Sequence, residues 1–248
     1  MDLPGYTDDL IHAVADANPN TVIVIQSGTP VTMPWVDKVS AIVLAWYGGN
    51  ETGNAIADVL YGDVNPSGKL PLSVPVHVED NPAFLNFGSE RGRVLYGEDV
   101  YVGYRFYEAT KRPTLFPFGH GLSYTTFKLS RLEVRNDGEM LSIQLSVENT
   151  GGCSGSTVIQ VYVAQRSPSV NRPPKELKGF KKQYLGVGES KLIEIQLETR
   201  YTTSFWDEAE SMWISEKDTY EVSVGDSSTN TSLKALFEVK DTFWWSGV

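Results

Sequence analysis

The sequence is poor in the side chains that build disulfides and metal sites. It contains one cysteine, Cys153, so an internal disulfide and a cysteine-based zinc site are both excluded. Its three histidines, His12, His77 and His120, stand far apart without the spacing of metal ligands. We therefore expect neither a metal nor a disulfide-stabilised fold.

Long apolar runs and basic charge are also scarce. No run approaches the roughly 20 residues of a membrane helix, so no membrane partner is predicted. Lysine and arginine number 21 against 31 aspartates and glutamates, and the net charge of -10 disfavours nucleic acid as a partner. A basic cluster occurs only at Lys178, Lys181 and Lys182.

The compartment stays open on sequence grounds. The first ten residues, MDLPGYTDDL, lack the basic and then apolar layout of a signal peptide. Two short glycosylation patterns begin at Asn50 and Asn230, but such matches arise by chance. A cytoplasmic location is slightly favoured over a secreted one.

The first 80 residues show the pattern of an α/β sheet. A helix is predicted over residues 3–18, and the runs TVIVIQ (21–26) and AIVLAW (41–46) predict buried parallel strands. The stretch 46–75 continues through a glycine turn and a helix capped by Asn50 to a third parallel strand at 70–76. The predicted buried stripe of the first helix consists of Leu10, Ile11, Val14 and Ala17. We interpret residues 1–80 as the terminal part of a doubly wound α/β domain, with an incomplete sheet whose open edge favours self-association.

Residues 81–121 are rich in glycine, proline and tyrosine and predict a long ordered connection. Within it, Glu98 and Asp99 form an acidic pair near Tyr101. Tyrosine rings stack on sugar faces, so these three residues are the candidate substrate-binding residues; packing of the connection is the alternative explanation.

From residue 122 the apolar period changes to two, which predicts antiparallel strands. Seven strands are predicted, at residues 124–134, 140–148, 158–164, 176–185, 191–197, 219–225 and 232–239. Residues 122–248 therefore predict a β-sandwich of immunoglobulin or fibronectin III type. The aromatic tail, DTFWWSGV, is expected to pack back on a domain surface. The fold class is thus α/β followed by all-β.

No complete catalytic set stands out among the other polar residues. Glu51 and Asp58 lie two turns apart on one predicted helix, and Asp63 lies in a turn. The glycines before that helix lack the phosphate-binding patterns. We accordingly assign no catalytic residue to this chain.

Several longer motifs carry a resemblance. They are ANPNTVIVIQSGTPVTMPW (17–35), AWYGGNETGNAIADVLYGDVNPSGKLPLSVP (45–75), YGEDVYVGYRFYE (96–108), FPFGHGLSYTTF (116–127) and RPPKELKGF (172–180). Together and in this order, they resemble the C-terminal half of glycoside hydrolase family 3 β-glucosidases, particularly fungal ones.

The resemblance implies a retaining hydrolase of terminal β-D-glucosyl residues that needs no cofactor. In that family a barrel carries the nucleophile and an α/β sandwich domain carries the acid/base glutamate, and neither residue has a counterpart here. The chain is therefore expected to be inactive alone, to partner a barrel-bearing N-terminal half, and to meet a β-glucoside only in the complete enzyme. A non-catalytic carbohydrate- or protein-binding module, or a remnant without glycosidase activity, remains the alternative.

Overall fold

The protein was analysed as a computed structural model, which describes residues 1–247, and its chain divides into two compact units. The first unit comprises Met1–Val64, Ser73–Glu98 and Arg112–Phe116, and the second comprises Asn65–Leu72, Asp99–Lys111 and Pro117–Val248. The sequence boundaries expected at residues 80 and 121 remain predictions. No helix of the described residues is long and apolar enough to cross a membrane.

The first unit is built on a parallel strand pair. Its helices and strands are α1 (Thr7–Ala17), β1 (Val22–Ile25), β2 (Ala41–Leu44), α2 (Thr52–Tyr61), β3 (Val74–Pro75) and β4 (Thr114–Phe116). Strands β1 and β2 pair in parallel, with Val22 opposite Ala41. The unit is centred on Trp35, which is fully buried and donates its indole N–H to Asp8 Oδ1 at 2.7 Å.

Helix α1 begins later and buries less than the sequence predicts. It starts at Thr7, whose hydroxyl donates to the Pro4 carbonyl at 2.6 Å. Only Ile11 and Ala15 are buried on it, whereas Leu10, Val14 and Ala17 are exposed. The predicted four-residue stripe is therefore wrong, because a narrower face of the helix meets the rest of the unit.

Two further expectations for the first unit are wrong. Asn50 does not cap α2: it lies inside a 3-10 turn, Gly49–Glu51, and the cap position is Glu51, whose side chain makes no capping bond to the helix backbone. The third strand is not parallel. It is shortened to β3, which pairs antiparallel with β4, because Pro71 and Pro75 have no N–H to donate to a regular ladder.

The connecting segment is more regular than expected. Strand β4 belongs to the first unit, and helix α3 (Tyr104–Thr110) belongs to the second. Helix α3 is entered through Gly103 at φ 54°, ψ -132°, a backbone conformation that glycine adopts at little cost.

The second unit is a β-sandwich with seven main strands, which confirms the predicted number and order. Its strands and one further helix are β5 (Phe127–Asn136), β6 (Met140–Asn149), β7 (Gly155–Gln165), β8 (Glu176–Leu185), β9 (Ser190–Glu198), α4 (Thr199–Thr203), β10 (Phe205–Asp207), β11 (Met212–Ser215), β12 (Asp218–Gly225), β13 (Leu233–Val239) and β14 (Phe243–Trp245). One sheet has the strand order β13-β12-β7-β8 and the other has the order β5-β6-β9. Neighbouring strands in both sheets pair antiparallel.

Alternation along the strands makes the core between the two sheets. On β6, Leu141, Ile143, Leu145 and Val147 are fully buried while the residues between them face outward. They meet Ile159 and its neighbours on β7 and apolar residues of β9, β12 and β13 in one continuous cluster. Because strand side chains alternate with period two, the sequence pattern alone specifies which face is buried.

A third, smaller sheet has the order β10-β11-β14. It holds the aromatic tail, since Trp245 pairs with Trp213 and stacks on it at 5.7 Å between ring centroids. The expectation that the tail packs back on a domain is confirmed.

We predict that Leu145→Ala lowers the free energy of unfolding of the sandwich by about 3 kcal/mol, because the fully buried side chain leaves a cavity. Leu192→Ala on β9, where leucine is 69% exposed, is the matched control and changes stability by less than about 0.5 kcal/mol. Urea unfolding followed by near-ultraviolet circular dichroism measures both. Equal losses for the two variants contradict the described core.

Candidate functional site

The predicted substrate-binding residues are distributed between the two units. Glu98 ends a segment of the first unit, and its Oε2 atom is buried without a hydrogen-bond partner. Asp99 and Tyr101 belong to the second unit. Asp99 is exposed with φ 50°, and the Tyr101 hydroxyl donates to the Arg172 carbonyl oxygen at 3.4 Å. Their role in substrate binding stays a prediction.

The largest cluster of charged and aromatic side chains lies elsewhere, in a cavity of about 630 Å³ within the second unit. A volume of this size suits a small-molecule ligand. Its charged lining residues are Arg105, Arg172, Glu176, Lys178, Arg200 and Glu208, and its aromatic lining residues are Tyr201, Phe205, Trp206, Trp213 and Trp245. We call it the basic-aromatic cavity.

Glu176 is the centre of the charged wall. Its Oε1 atom accepts from Arg105 Nη2 at 2.9 Å, while its Oε2 atom meets Arg172 Nη2 at 2.9 Å and Lys178 Nζ at 3.5 Å. Glu176 and Lys178 are two residues apart on β8, at a register shift of its ladder with β7. One carboxylate is thus shared by three cations.

Burial and charge act in opposite directions on this cluster. Burial alone would raise the pKa of Glu176, but Lys178, Arg172 and Arg105 together lower it. Burial lowers the pKa of Lys178, an effect that Glu176 opposes and Arg172 reinforces. Glu176 is consequently held as a carboxylate, a poor candidate for a general acid.

Each basic group has a structural support. Arg172 Nη1 donates to Gln165 Oε1 at 2.8 Å and to the Thr203 carbonyl at 2.9 Å. Arg105 lies on α3, which is tied to β8 by the bond from the Leu177 amide to the Tyr104 hydroxyl at 2.7 Å. These bonds fix the Arg172 guanidinium and hold α3, which carries Arg105, against β8.

The aromatic wall is equally ordered. Trp213 stacks on Trp245, and Trp206 meets Trp213 edge to face at 5.7 Å. The Trp245 indole N–H donates to Ser204 Oγ at 2.9 Å, and the Arg200 guanidinium lies 4.8 Å from the Tyr201 ring centroid. The rings therefore form a rigid apolar surface beside the charges.

Sequence reasoning missed this cavity. Its members come from residues 100–105, 170–178, 200–213 and 245–247, and nothing in their spacing relates them. The available signals were the motif RPPKELKGF and the aromatic tail, which indicate order but not a shared cavity.

A second, partly buried ion pair joins helix α3 to the loop before β8. Glu108 on α3 lies 3.3 Å from Lys175 Nζ, and burial raises the pKa of Glu108 while Lys175 lowers it. Lys175 Nζ also lies 5.3 Å from the Tyr162 ring centroid.

A smaller cavity of about 320 Å³, lined by Lys69, Asp226 and several hydroxyl side chains, has one aromatic ring in its lining, that of Phe127. Among residues 1–247, no group of three or more histidine, cysteine or acidic side chains is arranged to hold a metal.

The sequence pattern described as "Glycosyl hydrolase family 3 C-terminal domain" matches residues 1–124, and that of a "Fibronectin type III-like domain" matches residues 157–228. The chain belongs to glycosyl hydrolase family 3. Its α/β part corresponds to the family's C-terminal domain and its sandwich to the fibronectin III-like domain, which confirms the resemblance and the fold class.

Family 3 relatives match the whole chain. A probable β-glucosidase I of Aspergillus clavatus is 56% identical over all of this chain, which spans 30% of that protein. The crystal structure of a Kluyveromyces marxianus β-glucosidase in complex with glucose matches at a TM-score of 0.98 and 52% identity, over 100% of this chain and 30% of that one. Thermotoga neapolitana β-glucosidase 3B matches at a TM-score of 0.92 and 39% identity, over 98% of this chain and 35% of that one.

We predict that Glu176→Gln lowers the free energy of unfolding by about 3 kcal/mol at pH 7, because three partly buried cations lose their shared counter-charge. The folded-state pKa of Glu176 is lowered, so its stabilising effect is present above the ordinary value of 4.5 and is lost as pH falls through the folded value. The difference between parent and variant therefore shrinks from pH 6 to pH 3, measured by thermal unfolding.

The matched control is Glu133→Gln, which removes an exposed partner of Arg135 and changes stability by less than about 1 kcal/mol. If the Glu176 variant behaves like this control at pH 7, the ion cluster is not a stabilising element.

Proposed function

We propose that this chain forms the C-terminal part of a retaining β-glucosidase, which hydrolyses terminal β-D-glucosyl residues, and that the chain alone is inactive. The observation that carries the proposal is 56% identity to a fungal β-glucosidase across the entire chain. The chain spans about 30% of the length of the curated relatives it matches, which supports a partnership with a barrel-bearing N-terminal part.

The ion pairs of the second unit support the proposal of inactivity. Retaining hydrolysis needs two carboxyl groups about 5–5.5 Å apart, one a nucleophile and the other a proton donor. Glu176 is held as a carboxylate by three cations, and Glu108 lies 3.3 Å from Lys175, so neither is a free carboxyl of such a pair. Under this proposal Glu98, Asp99 and Tyr101 contact the β-glucoside only in the complete enzyme, and no cofactor takes part.

Exposed apolar side chains in the first unit suggest where the N-terminal part docks. Leu85 and Phe87 are each 90% exposed, and Leu95 and Tyr96 are 65% and 79% exposed. Side chains this apolar and this exposed in one segment are typical of an interface. We assign the segment 84–96 to contact with the barrel-bearing part.

The purified chain is expected to leave an aryl β-glucoside unhydrolysed, and co-expression with the remaining N-terminal part of the Aspergillus clavatus relative is expected to restore turnover. Release of the aryl alcohol is followed spectroscopically. Turnover by the chain alone that survives purification and is abolished by Glu98→Gln or Asp99→Asn contradicts the proposal.

Within the co-expressed pair, the double variant Leu85→Asp with Phe87→Asp should reduce turnover at least tenfold, because two charges enter an apolar interface. Leu192→Asp, on an exposed position of β9, is the matched control and leaves turnover unchanged. Co-purification of the two parts is measured alongside. Undiminished co-purification of the double variant contradicts the assigned docking segment.

A second copy of the chain is the alternative partner, through the β1-β2 sheet. This sheet has only two strands among the described residues, and Val22 on β1 is 44% exposed. Open sheet edges are templates for pairing. Static light scattering of the chain alone should show association that rises with concentration; a monomer at high concentration removes this alternative.

The alternative class of function is a non-catalytic binding module. The basic-aromatic cavity favours it, because aromatic surfaces beside polar groups recognise carbohydrates. Heat released on titration of the chain with cello-oligosaccharides supports a module for neutral glucans, whereas a protein partner without sugar binding supports a protein-binding module.

A further inference from the structure

The basic-aromatic cavity carries an excess of positive charge. Its lining holds four basic side chains, Arg105, Arg172, Lys178 and Arg200, against two carboxylates, Glu176 and Glu208. The whole chain, in contrast, carries a net charge of -10. A local cationic site on an acidic protein attracts small anions rather than other acidic surfaces.

Three of the four lining cations share a single carboxylate. Glu176 is shared by Arg105, Arg172 and Lys178, and Arg200 is paired with Glu198 at 2.8 Å. Arg172 also donates from Nη1 to Gln165 and to the Thr203 carbonyl. Arg105 is the most exposed of the three, at 29%, and Lys178 makes the longest contact with Glu176, at 3.5 Å, so these two groups are best placed to pair with an incoming anion.

The opposite wall of the cavity supplies an aromatic surface on which a saccharide ring can pack. Trp206 and Trp213 meet edge to face, and Trp206 keeps 46% of its surface exposed. A flat indole face packs against the apolar face of a saccharide ring, and the cavity of about 630 Å³ holds a ligand of this size.

We propose that the basic-aromatic cavity binds a saccharide that bears an anionic group, with its ring against Trp206 and Trp213 and its carboxylate or phosphate against Arg105 and Lys178. The lining lies wholly in the second unit. A neutral saccharide leaves the excess positive charge of the cavity without a counter-ion and binds more weakly.

Titration calorimetry of the full 248-residue chain tests the proposal with three probes: glucuronate, glucose 6-phosphate and glucose. At least one of the two anions should bind at least tenfold more tightly than glucose, and its affinity should fall with added salt. The two anions distinguish a planar carboxylate from a phosphate. Equal affinity for all three probes, or no binding of either anion, overturns the proposal.

Three variants locate the binding. Arg105→Gln should weaken binding of the anion at least tenfold, and Arg105→Lys should restore part of it because the charge returns. Arg135→Gln removes an exposed arginine of β5 and is the matched control, which should leave binding unchanged. Anion binding that Arg105→Gln leaves intact overturns the assignment.

Trp206→Leu keeps every charge of the cavity and removes an exposed aromatic face, so it tests the site if the Arg105 variants do not fold. The expected result is weaker binding of the anion together with loss of the ligand-induced change in tryptophan fluorescence. Unchanged affinity in Trp206→Leu overturns the proposed position of the ring.

Discussion

One shared carboxylate links helix α3 to the sandwich of the second unit. Glu176 joins Arg105 of helix α3, Arg172 of the loop before β8 and Lys178 of β8 itself. Burying three cations is unfavourable unless a counter-charge lies within reach, and Glu176 supplies that charge at 2.9 Å from both guanidinium groups. The same cluster attaches a helix to the sandwich and gives one side of a cavity its positive charge.

The two units are stabilised in different ways. The sandwich has a continuous core in which Leu141, Ile143 and Leu145 are fully buried. Its own strands therefore bury its apolar side chains. The first unit has a single parallel strand pair and leaves Leu10, Leu85 and Phe87 exposed. Such surfaces are the physical basis for a partner that covers the first unit.

Membership of glycosyl hydrolase family 3 indicates a type of reaction but does not identify the reacting residues. Relatives at 56% and 52% identity are β-glucosidases, but this chain spans 30% of each. The partly buried carboxylates Glu108 and Glu176 both lie in ion pairs. Catalysis by the complete enzyme is therefore proposed to draw its reacting carboxyls from outside these two positions.

The sequence by itself determined the fold class and the β-sandwich, because period-two alternation such as that of residues 140–148 fixes which face of a strand is buried. It also determined the family, through motifs that extend over most of the chain. It misjudged the strand at 70–76 and the buried stripe of α1, since propensity does not say which neighbours an element meets. Only the tertiary structure decided that Arg105, Glu176, Trp206 and Trp245 line one cavity, because they come together through sheet pairing between residues far apart in the chain.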